Sequence, residues 1–334
     1  MHRPRATTAR TLALAAAAAV VLSACSGGTG AGAATSAGDP DTCPGEVLSV
    51  VVSVGQWGDV VRSLAGDCAD VTTIVDSAAV DPHDFEPTTG DLAAFEGADL
   101  VVVNGAGYDS WASAAVANLD PRPVVVDAGA TAGIEGATEE HGDEHGDEAA
   151  HGDGHAAGGA NPHLWYSPDD VQRTAEAVTA ALGELSPDAA GAFAAGADAW
   201  AQELQPYREA VAGLQATTAG RSYAATETVF DPMAAEIGLV DATLRGFRDA
   251  ASNETDPAPG DIAAFETSLR DGSVAVLVYN TQTEGSIPAQ LRTVAEDAGV
   301  PVVEVTESLP ADGGSFVEWQ LAQLQQLSDA LGGA

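Results

Sequence analysis

The sequence contains no lysine, and it has only seven histidines and three cysteines among 334 residues. Beyond residue 24, nine arginines face all 50 acidic residues, and the formal net charge of the whole chain is −38. Such a surface repels nucleic acid and anionic lipid headgroups, while it favours solubility and cations. The scarcity of positive charge therefore argues against nucleic acid as a partner, but it does not identify a ligand.

The first 24 residues predict a secretory signal peptide. Three arginines precede a short apolar stretch (12–22) that is too short to span a membrane comfortably. The motif "LSAC" that follows resembles the lipobox of bacterial lipoproteins, so we expect Cys25 to be acylated after cleavage. Plain secretion with cleavage near Ala24 is the alternative. Residues 25–45, which are rich in Gly, Ser and Ala up to about residue 38, are expected to form a lipid-anchored flexible tether.

The other two cysteines form an even pair. If Cys25 carries lipid, Cys43 and Cys68 remain in an exported and therefore oxidising compartment. Each precedes an apolar run, and if these runs are neighbouring parallel strands, both cysteines lie at the same edge of the sheet within bridging reach. We therefore predict a disulfide between Cys43 and Cys68, with two free thiols as the alternative.

Short β-branched runs alternate with amphipathic stretches, which predicts an α/β fold with mainly parallel sheets flanked by helices. The predicted strands cover 46–54, 71–75, 99–104, 122–128, 222–227, 240–246, 274–280 and 300–306. The predicted helices outside the central region cover 56–65, 88–96, 108–118, 228–237, 260–271, 286–298 and 315–331.

The central region, 168–216, is helix-compatible throughout, except for a break near Ser186-Pro187. There a serine at the N-cap is followed by proline at the first helical position, which predicts a second long helix over 187–215. We accordingly expect two α/β lobes around linking helices. The predicted boundaries are 46–167 for the first lobe, 168–218 for the linking helices and 219–334 for the second lobe.

Four of the histidines lie in the stretch "EEHGDEHGDEAAHGDGH" (139–155), within a loop that we place at 136–160. Its other residues are Glu, Asp, Gly and Ala, which cannot form a core. Imidazoles and carboxylates at these spacings can form several weak, exchanging metal sites, which stay weak because ordering the loop costs conformational entropy. Low-complexity drift is the alternative. The four residues are His141, His145, His151 and His155.

The two histidines that lie beyond the signal peptide and outside this loop, His83 and His163, each follow a proline. Proline fixes its own φ and restricts the residue before it, so each imidazole is presented on a stiff backbone. His83 follows a predicted strand, and ligands of open α/β sheets bind where strands end. An ordinary loop histidine is the alternative for each. The shared Pro-His context favours a paired metal site.

Five segments together resemble the zinc/manganese-type metal-binding lipoproteins of ABC importers, the cluster A-I solute-binding proteins. The segments are "GQWGDVVRSLAGD", "DPHDFEPTTGDL", "ADLVVVNGAGYDSW", "NPHLWYSP" and "FDPMAAEIGL". The resemblance runs from about residue 46 to the end of the chain. It implies two α/β lobes joined by a long rigid backbone helix, with a metal ion in the cleft between the lobes. It also implies a monomer that is anchored to the outer face of the cell membrane, with a membrane permease and its ATPase as partners.

The same resemblance implies a set of metal ligands. His83 and His163 match the first two histidine ligands of the family. Glu227, in "ATETVFD", falls where zinc-binding members often have a third histidine and other members a carboxylate. The fourth ligand of the family is a carboxylate after the strand "VAVLVYN", and counting along "NTQTEGS" gives Glu284. Alternatively, Asn280 or Gln282 orients the site and water completes it, and either glutamate is an exposed loop carboxylate.

Two imidazoles with one or two carboxylates suit Zn²⁺, Mn²⁺ or Fe²⁺, and intrinsic affinity rises from manganese through iron to zinc. Family members with a histidine- and acid-rich loop are typically specific for zinc, so the resemblance favours Zn²⁺ as the transported ligand. A secreted zinc hydrolase is a less favoured alternative, because the chain has neither H-E-x-x-H nor G-x-S-x-G. A metal-buffering surface adhesin with the same fold is a further alternative.

Overall fold

The computed structural model describes residues 33–76, 85–134, 160–253, 255–283, 285–310 and 314–332. Several residues singled out from the sequence lie outside these ranges, and the predictions made for them stay predictions. They are Cys25, His83, His141, His145, His151, His155 and Glu284.

The first lobe is built on a sheet whose strands lie in the order β1-β3-β2-β4-β5. All pairs are parallel except β1 with β3, which confirms the predicted parallel sheet. Strand β2 is buried at six of its seven positions, as expected for a parallel strand that is covered on both faces. The strands are Ala34–Ser36 (β1), Leu48–Val54 (β2), Ala69–Val75 (β3), Leu100–Val103 (β4) and Val124–Asp127 (β5). The helices are Gly55–Ala65 (α1), Thr89–Ala94 (α2), Ser110–Ala117 (α3) and Ala128–Thr131 (α4).

Three helices link the lobes: Pro168–Leu185 (α5), Ala190–Glu203 (α6) and Gln205–Thr218 (α7). The predicted N-cap, Ser186, precedes a short 3-10 helix (Pro187–Ala189) with proline at its start, but its side chain accepts no capping hydrogen bond. A Ser-Pro start with a capping hydrogen bond occurs instead at α5, where the Ser167 side chain accepts from the backbone N–H of Asp170. The break near residue 186 is confirmed. The single helix predicted over 187–215 is instead divided at Leu204. Pro206 lacks the N–H that would continue the hydrogen-bond ladder, which explains the division.

The second lobe has a wholly parallel sheet in the order β7-β6-β8-β9. The strand predicted over 240–246 is wrong beyond Asp241. The Asp241 carboxylate accepts from the backbone N–H of Thr243 at 2.8 Å, which turns the chain, and a helix begins at Arg245. The strands are Ser222–Ala225 (β6), Val240–Asp241 (β7), Val276–Asn280 (β8) and Val302–Val305 (β9). The helices are Asp231–Glu236 (α8), Arg245–Ser252 (α9), Pro259–Arg270 (α10), Ser286–Ala298 (α11) and Phe316–Ala330 (α12).

One hydrophobic core is shared by the two lobes. It continues from the first sheet through the linking helices to one face of the second sheet and to α12, while α9, α10 and α11 pack in a separate cluster on the other face. At their junction, the hydroxyl of Tyr166 donates to the carbonyl of Thr306 at 2.8 Å and contacts the side-chain oxygen of Gln323 at 2.6 Å. The loop after β9 is therefore fixed from the first lobe as well as from its own.

The predicted disulfide is confirmed, since Cys43 and Cys68 are bonded with their Cα atoms 5.0 Å apart.

The flexible tether predicted to reach residue 45 is wrong from residue 34 onward. Residues Ala34–Ser36 pair antiparallel with Val71–Thr73 of β3. The pairing satisfies backbone groups that would otherwise be exposed at the edge of the sheet. Among the helices of the described residues, none is long and apolar enough to cross a membrane.

Replacing both Cys43 and Cys68 by serine is expected to destabilise the metal-free protein by about 3 kcal/mol, because the bond closes a loop with a sequence separation of 25. For a domain of this size the melting temperature should fall by about 5–10 °C. Differential scanning calorimetry of the wild type and the double variant measures the difference, with the wild type in reductant as a control. Equal melting temperatures would show that the bond contributes nothing.

Candidate metal site

Three adjacent strands of the second sheet bring polar side chains to one edge. Glu227 lies two residues beyond the end of β6, Asn280 is the last residue of β8, and Glu307 lies two residues beyond the end of β9. In the sheet β8 lies between β6 and β9. Because the carboxyl ends of parallel strands meet at one edge, the two glutamates flank the asparagine.

Asn280 connects the two carboxylates. Its side-chain Nδ2 donates to Oε2 of Glu227 at 2.6 Å and to Oε1 of Glu307 at 2.8 Å. The backbone N–H of Glu307 in turn donates to Oε1 of Gln282 at 2.6 Å. Asn280 and Gln282, which the sequence offered as residues that orient the site, are therefore both part of this network. Glu307 is 1% exposed, so its carboxylate depends on these partners.

His163 approaches the same carboxylates from the first lobe. Its ring Nδ1 lies 2.8 Å from Oδ1 of Asn161, whose Nδ2 donates to the carbonyl of Thr228 at 2.7 Å. The carbonyl can only accept, so the Asn161 oxygen must face the histidine, and Nδ1 carries the proton. The other ring nitrogen, Nε2, lies 3.5 Å from Oε2 of Glu307. Metal-binding histidines are oriented in this way by a partner on the second nitrogen.

The backbone that carries His163 is held by the loop after β4. The amide of Asn104 donates to the carbonyl of Pro162 at 2.9 Å, and the indole of Trp57 donates to Asn104 at 2.9 Å. The Asp109 carboxylate accepts from the backbone N–H groups of Asn104 and Gly105 at 2.7 and 2.8 Å. Burial raises the pKa of Asp109, whereas these donors lower it. The segment "NGAGYD" thus braces the Pro-His turn.

Tyr108 completes the surroundings of Glu307. Its hydroxyl donates to Oε2 of Glu307 at 3.0 Å, and its ring stands edge-on to the rings of His163 and Trp165. Burial raises the pKa of Tyr108 well above its ordinary value, and the neighbouring Glu307 raises it further. The phenol therefore stays protonated and donates. Oε2 of Glu307 thus faces both the phenol and His163.

The separation of His163 and Glu307 fits a shared cation. Two donors at about 2.0–2.2 Å from a tetrahedral zinc ion lie about 3.3–3.6 Å apart. The observed distance between Nε2 and Oε2 is 3.5 Å. Within the described part of the chain, no group of three or more His, Cys, Asp or Glu side chains has the arrangement of a metal site. Of the predicted ligands, His163 and Glu227 are brought to one region, while His83 and Glu284 lie outside the described residues.

The sequence analysis did not identify Glu307. A usable signal exists, because Glu307 directly follows the predicted strand 300–306 and, like Glu227, comes directly after a threonine. Residues that follow parallel strands at their carboxyl ends are the first candidates for ligands. That rule would have selected Glu307, whereas Glu227 was selected from the family resemblance.

A cavity of about 560 Å³ opens beside this cluster and is lined by both lobes, including Tyr108, Asn161 and Asp231. The arginine in its wall, Arg248, is engaged by two carboxylates: it lies 2.7 Å from Asp231 and contacts Asp241. The charge of Arg248 is thereby compensated. A cation that enters by this cavity therefore meets no uncompensated positive charge from Arg248.

Two α/β lobes with an imidazole and carboxylates facing each other between them define a metal-binding protein of the solute-binding class. Residues 50–330 match the family model of the periplasmic component A of the zinc-uptake complex, and the chain belongs to this family. The family supplies the substrate-binding component of ABC importers, which work with a permease and an ATPase, and its members function outside the cytoplasm.

Curated relatives include zinc- and manganese-binding proteins. The zinc-binding lipoprotein AdcA of Streptococcus pneumoniae serotype 4 is 24% identical over 86% of this chain, which spans only 57% of AdcA. The high-affinity zinc uptake system protein ZnuA of Bacillus subtilis is 26% identical over 93% of this chain and 94% of its own length. The manganese-binding lipoprotein MntA of Halalkalibacterium halodurans is 27% identical over 77% of this chain and 78% of its own length.

Solved structures show the same fold. The solute-binding protein FpvC of Pseudomonas aeruginosa, in complex with Mn²⁺, superposes with a TM-score of 0.67 at 22% identity, covering 86% of this chain and 99% of FpvC. At this identity the likeness concerns the fold. It confirms the predicted architecture of two lobes with parallel sheets joined by helices.

Proposed function

We propose that this protein captures Zn²⁺ outside the cytoplasm and delivers it to an ABC permease. The observation that carries the proposal is the contact between His163 and Glu307, where Nε2 of an imidazole from one lobe lies 3.5 Å from a buried carboxylate of the other. Membership of the zinc-uptake family supports the same conclusion. The alternative within the class is manganese or iron(II), and the relative MntA makes manganese the first of these to test.

We propose His83, His163, Glu227 and Glu307 as the ligands of one tight site. Nitrogen and oxygen donors in this combination form a borderline-hard site that suits zinc. Glu284 remains a predicted ligand, in competition with Glu307 for the fourth position. Glu307 has the stronger support, because its carboxylate is buried and lies beside His163.

The protein is proposed to bind and release metal without catalysis. The hydrogen bonds that Glu227 and Glu307 accept from Asn280, Thr283 and Tyr108 hold the two carboxylates in place, and Glu307 also lies beside His163. A broad hydrolase screen of the zinc-loaded protein tests this point.

We also propose a lipid anchor at Cys25 on the outer face of the membrane and a monomeric state. Growth under zinc chelation separates uptake from a role as a metal-buffering adhesin.

Deleting the histidine-rich loop, residues 136–160, is expected to remove additional weak zinc equivalents and to leave one tight equivalent. The reason is that the proposed tight ligands lie outside the loop, whereas loop histidines must be ordered before they can bind. Metal analysis of protein purified without added metal, followed by titration of both forms with Zn²⁺ and Mn²⁺, gives the stoichiometries. Loss of the tight equivalent on deletion would move the site into the loop.

A further inference from the structure

The segment that carries His163 also reaches both glutamate-bearing loops of the second lobe. We call residues 161–166 the clamp segment. It begins at Asn161 and ends at Tyr166, the last residue of a short 3-10 helix (Leu164–Tyr166). Each of these two residues bonds to the second lobe, and each bond reaches the carbonyl of a threonine that is next to a proposed ligand.

The first bond lies at the start of the clamp segment. Nδ2 of Asn161 donates to the carbonyl of Thr228 at 2.7 Å, and Thr228 directly follows Glu227. Oδ1 of the same amide accepts from the backbone N–H of His163 at 2.9 Å and lies 2.8 Å from its ring Nδ1. A single planar amide therefore relates the imidazole of His163 to the backbone beside Glu227.

The second bond lies at the end of the clamp segment. The hydroxyl of Tyr166 is 2.8 Å from the carbonyl oxygen of Thr306, the residue that directly precedes Glu307. It is also 2.6 Å from Oε1 of Gln323, and a hydroxyl donates only one proton. Oε1 of Gln323 itself accepts from the backbone N–H of Thr306 at 3.1 Å. Whichever oxygen takes the proton, Tyr166 therefore holds Thr306, either directly or through Gln323.

These bonds bear on metal affinity because they restrict the positions of the ligands relative to one another. When only a fraction of the molecules has the ligands in the binding arrangement, the dissociation constant is the intrinsic constant divided by that fraction. Contacts that hold the arrangement in advance remove this cost. The arrangement to be held includes the separation of 3.5 Å between Nε2 of His163 and Oε2 of Glu307.

We propose that the clamp segment sets the positions of both glutamates relative to His163. Asn161 acts on Glu227, and Tyr166 acts on Glu307, so both are positioning residues. This role rests on the proposed function of the site as a metal-capture site. It goes further by assigning each of two residues that are not ligands to one particular ligand.

The first test replaces Tyr166 by phenylalanine in the full-length protein and measures the dissociation constant of Zn²⁺ by competition with chelators of graded strength. We expect the constant to rise by about three- to tenfold, the size of one hydrogen bond. The loop should stay folded, because Gln56 and Gln282 also hold the backbone of Glu307. Tyr207→Phe is the matched control and should leave the constant unchanged. Tyr207 is also fully buried, and its hydroxyl makes no hydrogen bond within the described part of the chain.

The second test replaces Asn161 by alanine. We expect the zinc constant to rise by about 10–100-fold, because the substitution removes both the partner of the His163 ring and the donor to Thr228. Asn118→Ala is the matched control and should leave the constant unchanged. The Nδ2 of Asn118 also donates to a backbone carbonyl, that of Ala114 on α3 at 2.7 Å.

Crossed double variants show through which glutamate each residue acts. In the Glu307→Gln background, Tyr166→Phe should raise the constant by about twofold or less, because the side chain that it positions no longer binds as a carboxylate. In the Glu227→Gln background, Tyr166→Phe should keep its full factor. Asn161→Ala should lose part of its effect in Glu227→Gln and none of it in Glu307→Gln. A residue with a merely structural role would have the same effect in both backgrounds.

Equal factors in the two backgrounds, or an unchanged zinc constant in the single variants, would overturn the inference. An effect of only one of the two residues would also overturn it, since the clamp segment requires both bonds. Circular dichroism and the metal-free melting temperature show whether each variant is folded, and if one is unfolded the crossed variants of the other decide. Failure of the proposed function would look different, because the wild-type protein itself would then bind no metal ion tightly.

Discussion

Glu307→Gln is expected to weaken zinc binding by more than a hundredfold, since loss of partners around metal ligands alone costs about 10–100-fold. The substitution removes the charge and turns one oxygen into an NH₂ group that has no lone pair for a metal. The fold should tolerate it, because the new amide can accept from Asn280 with its oxygen, while its NH₂ group lies beside Nε2 of His163 and can donate to the Tyr108 hydroxyl, which reverses the hydrogen bond of the wild type. Isothermal titration in the presence of a competing chelator measures the effect.

Stability measurements separate loss of binding from misfolding. Zinc at 1,000 times its dissociation constant should stabilise the wild type by about 4 kcal/mol, and the variant should lose most of this gain while its metal-free melting temperature stays close to that of the wild type. Glu304→Gln is the control, since Glu304 lies three residues earlier on β9 and pairs with Arg292 at the surface. The zinc affinity of Glu284→Gln is measured by the same titration. If Glu284→Gln abolished binding and Glu307→Gln did not, the fourth ligand would be Glu284.

His163→Ala, made in protein that lacks residues 136–160, is expected to lose tight zinc binding to a similar extent. Alanine removes the nitrogen that faces Glu307, while the hydrogen bond from Tyr108 to the same carboxylate remains. The loop is deleted so that its four histidines cannot supply replacement donors. Titration with zinc against a chelator reads the change, and the loop-deleted protein with His163 intact is the control.

A second variant extends this result to the residue outside the described ranges. Replacing both His83 and His163 in the loop-deleted protein should leave no tight equivalent. Stoichiometric tight binding in that protein would refute the proposed pair of histidine ligands. Retention of tight binding in His163→Ala alone would instead limit the error to His163.

Strand positions were predictable because parallel strands buried on both faces leave a continuous β-branched run in the sequence, as in "SVVVSV" and "LVVV". The disulfide followed from parity and from the expected neighbourhood of two strands. Helix α9 was missed because alternating apolar residues from Val240 to Leu244 imitate a strand. The local turn made by Asp241 and the tertiary packing of Phe247 against Phe265 together override this pattern.

Some residues of the site could be predicted from the sequence, but the contacts between them could not. A histidine after proline can be read from the sequence as a candidate, and His163 was found in this way, whereas Glu227 was taken from the family resemblance. The pairing of Glu307 with His163 depends on how two lobes meet, across 144 positions of the chain, and periodicity carries no such information. The bridging role of Asn280 likewise depends on three strands being adjacent in the sheet.

Strand β1 shortens the segment that would join the folded lobes to a lipid anchor at Cys25. Only nine positions separate Cys25 from Ala34, where β1 begins, and at about 3.3–3.6 Å per residue they span at most about 30 Å. With the lipid that we propose on Cys25, the folded body stays within one protein diameter of the bilayer. The search for a permease then takes place in two dimensions and at high effective concentration. Under that proposal, the short strand β1 sets the length of the tether and thereby how far the folded lobes can lie from the anchor.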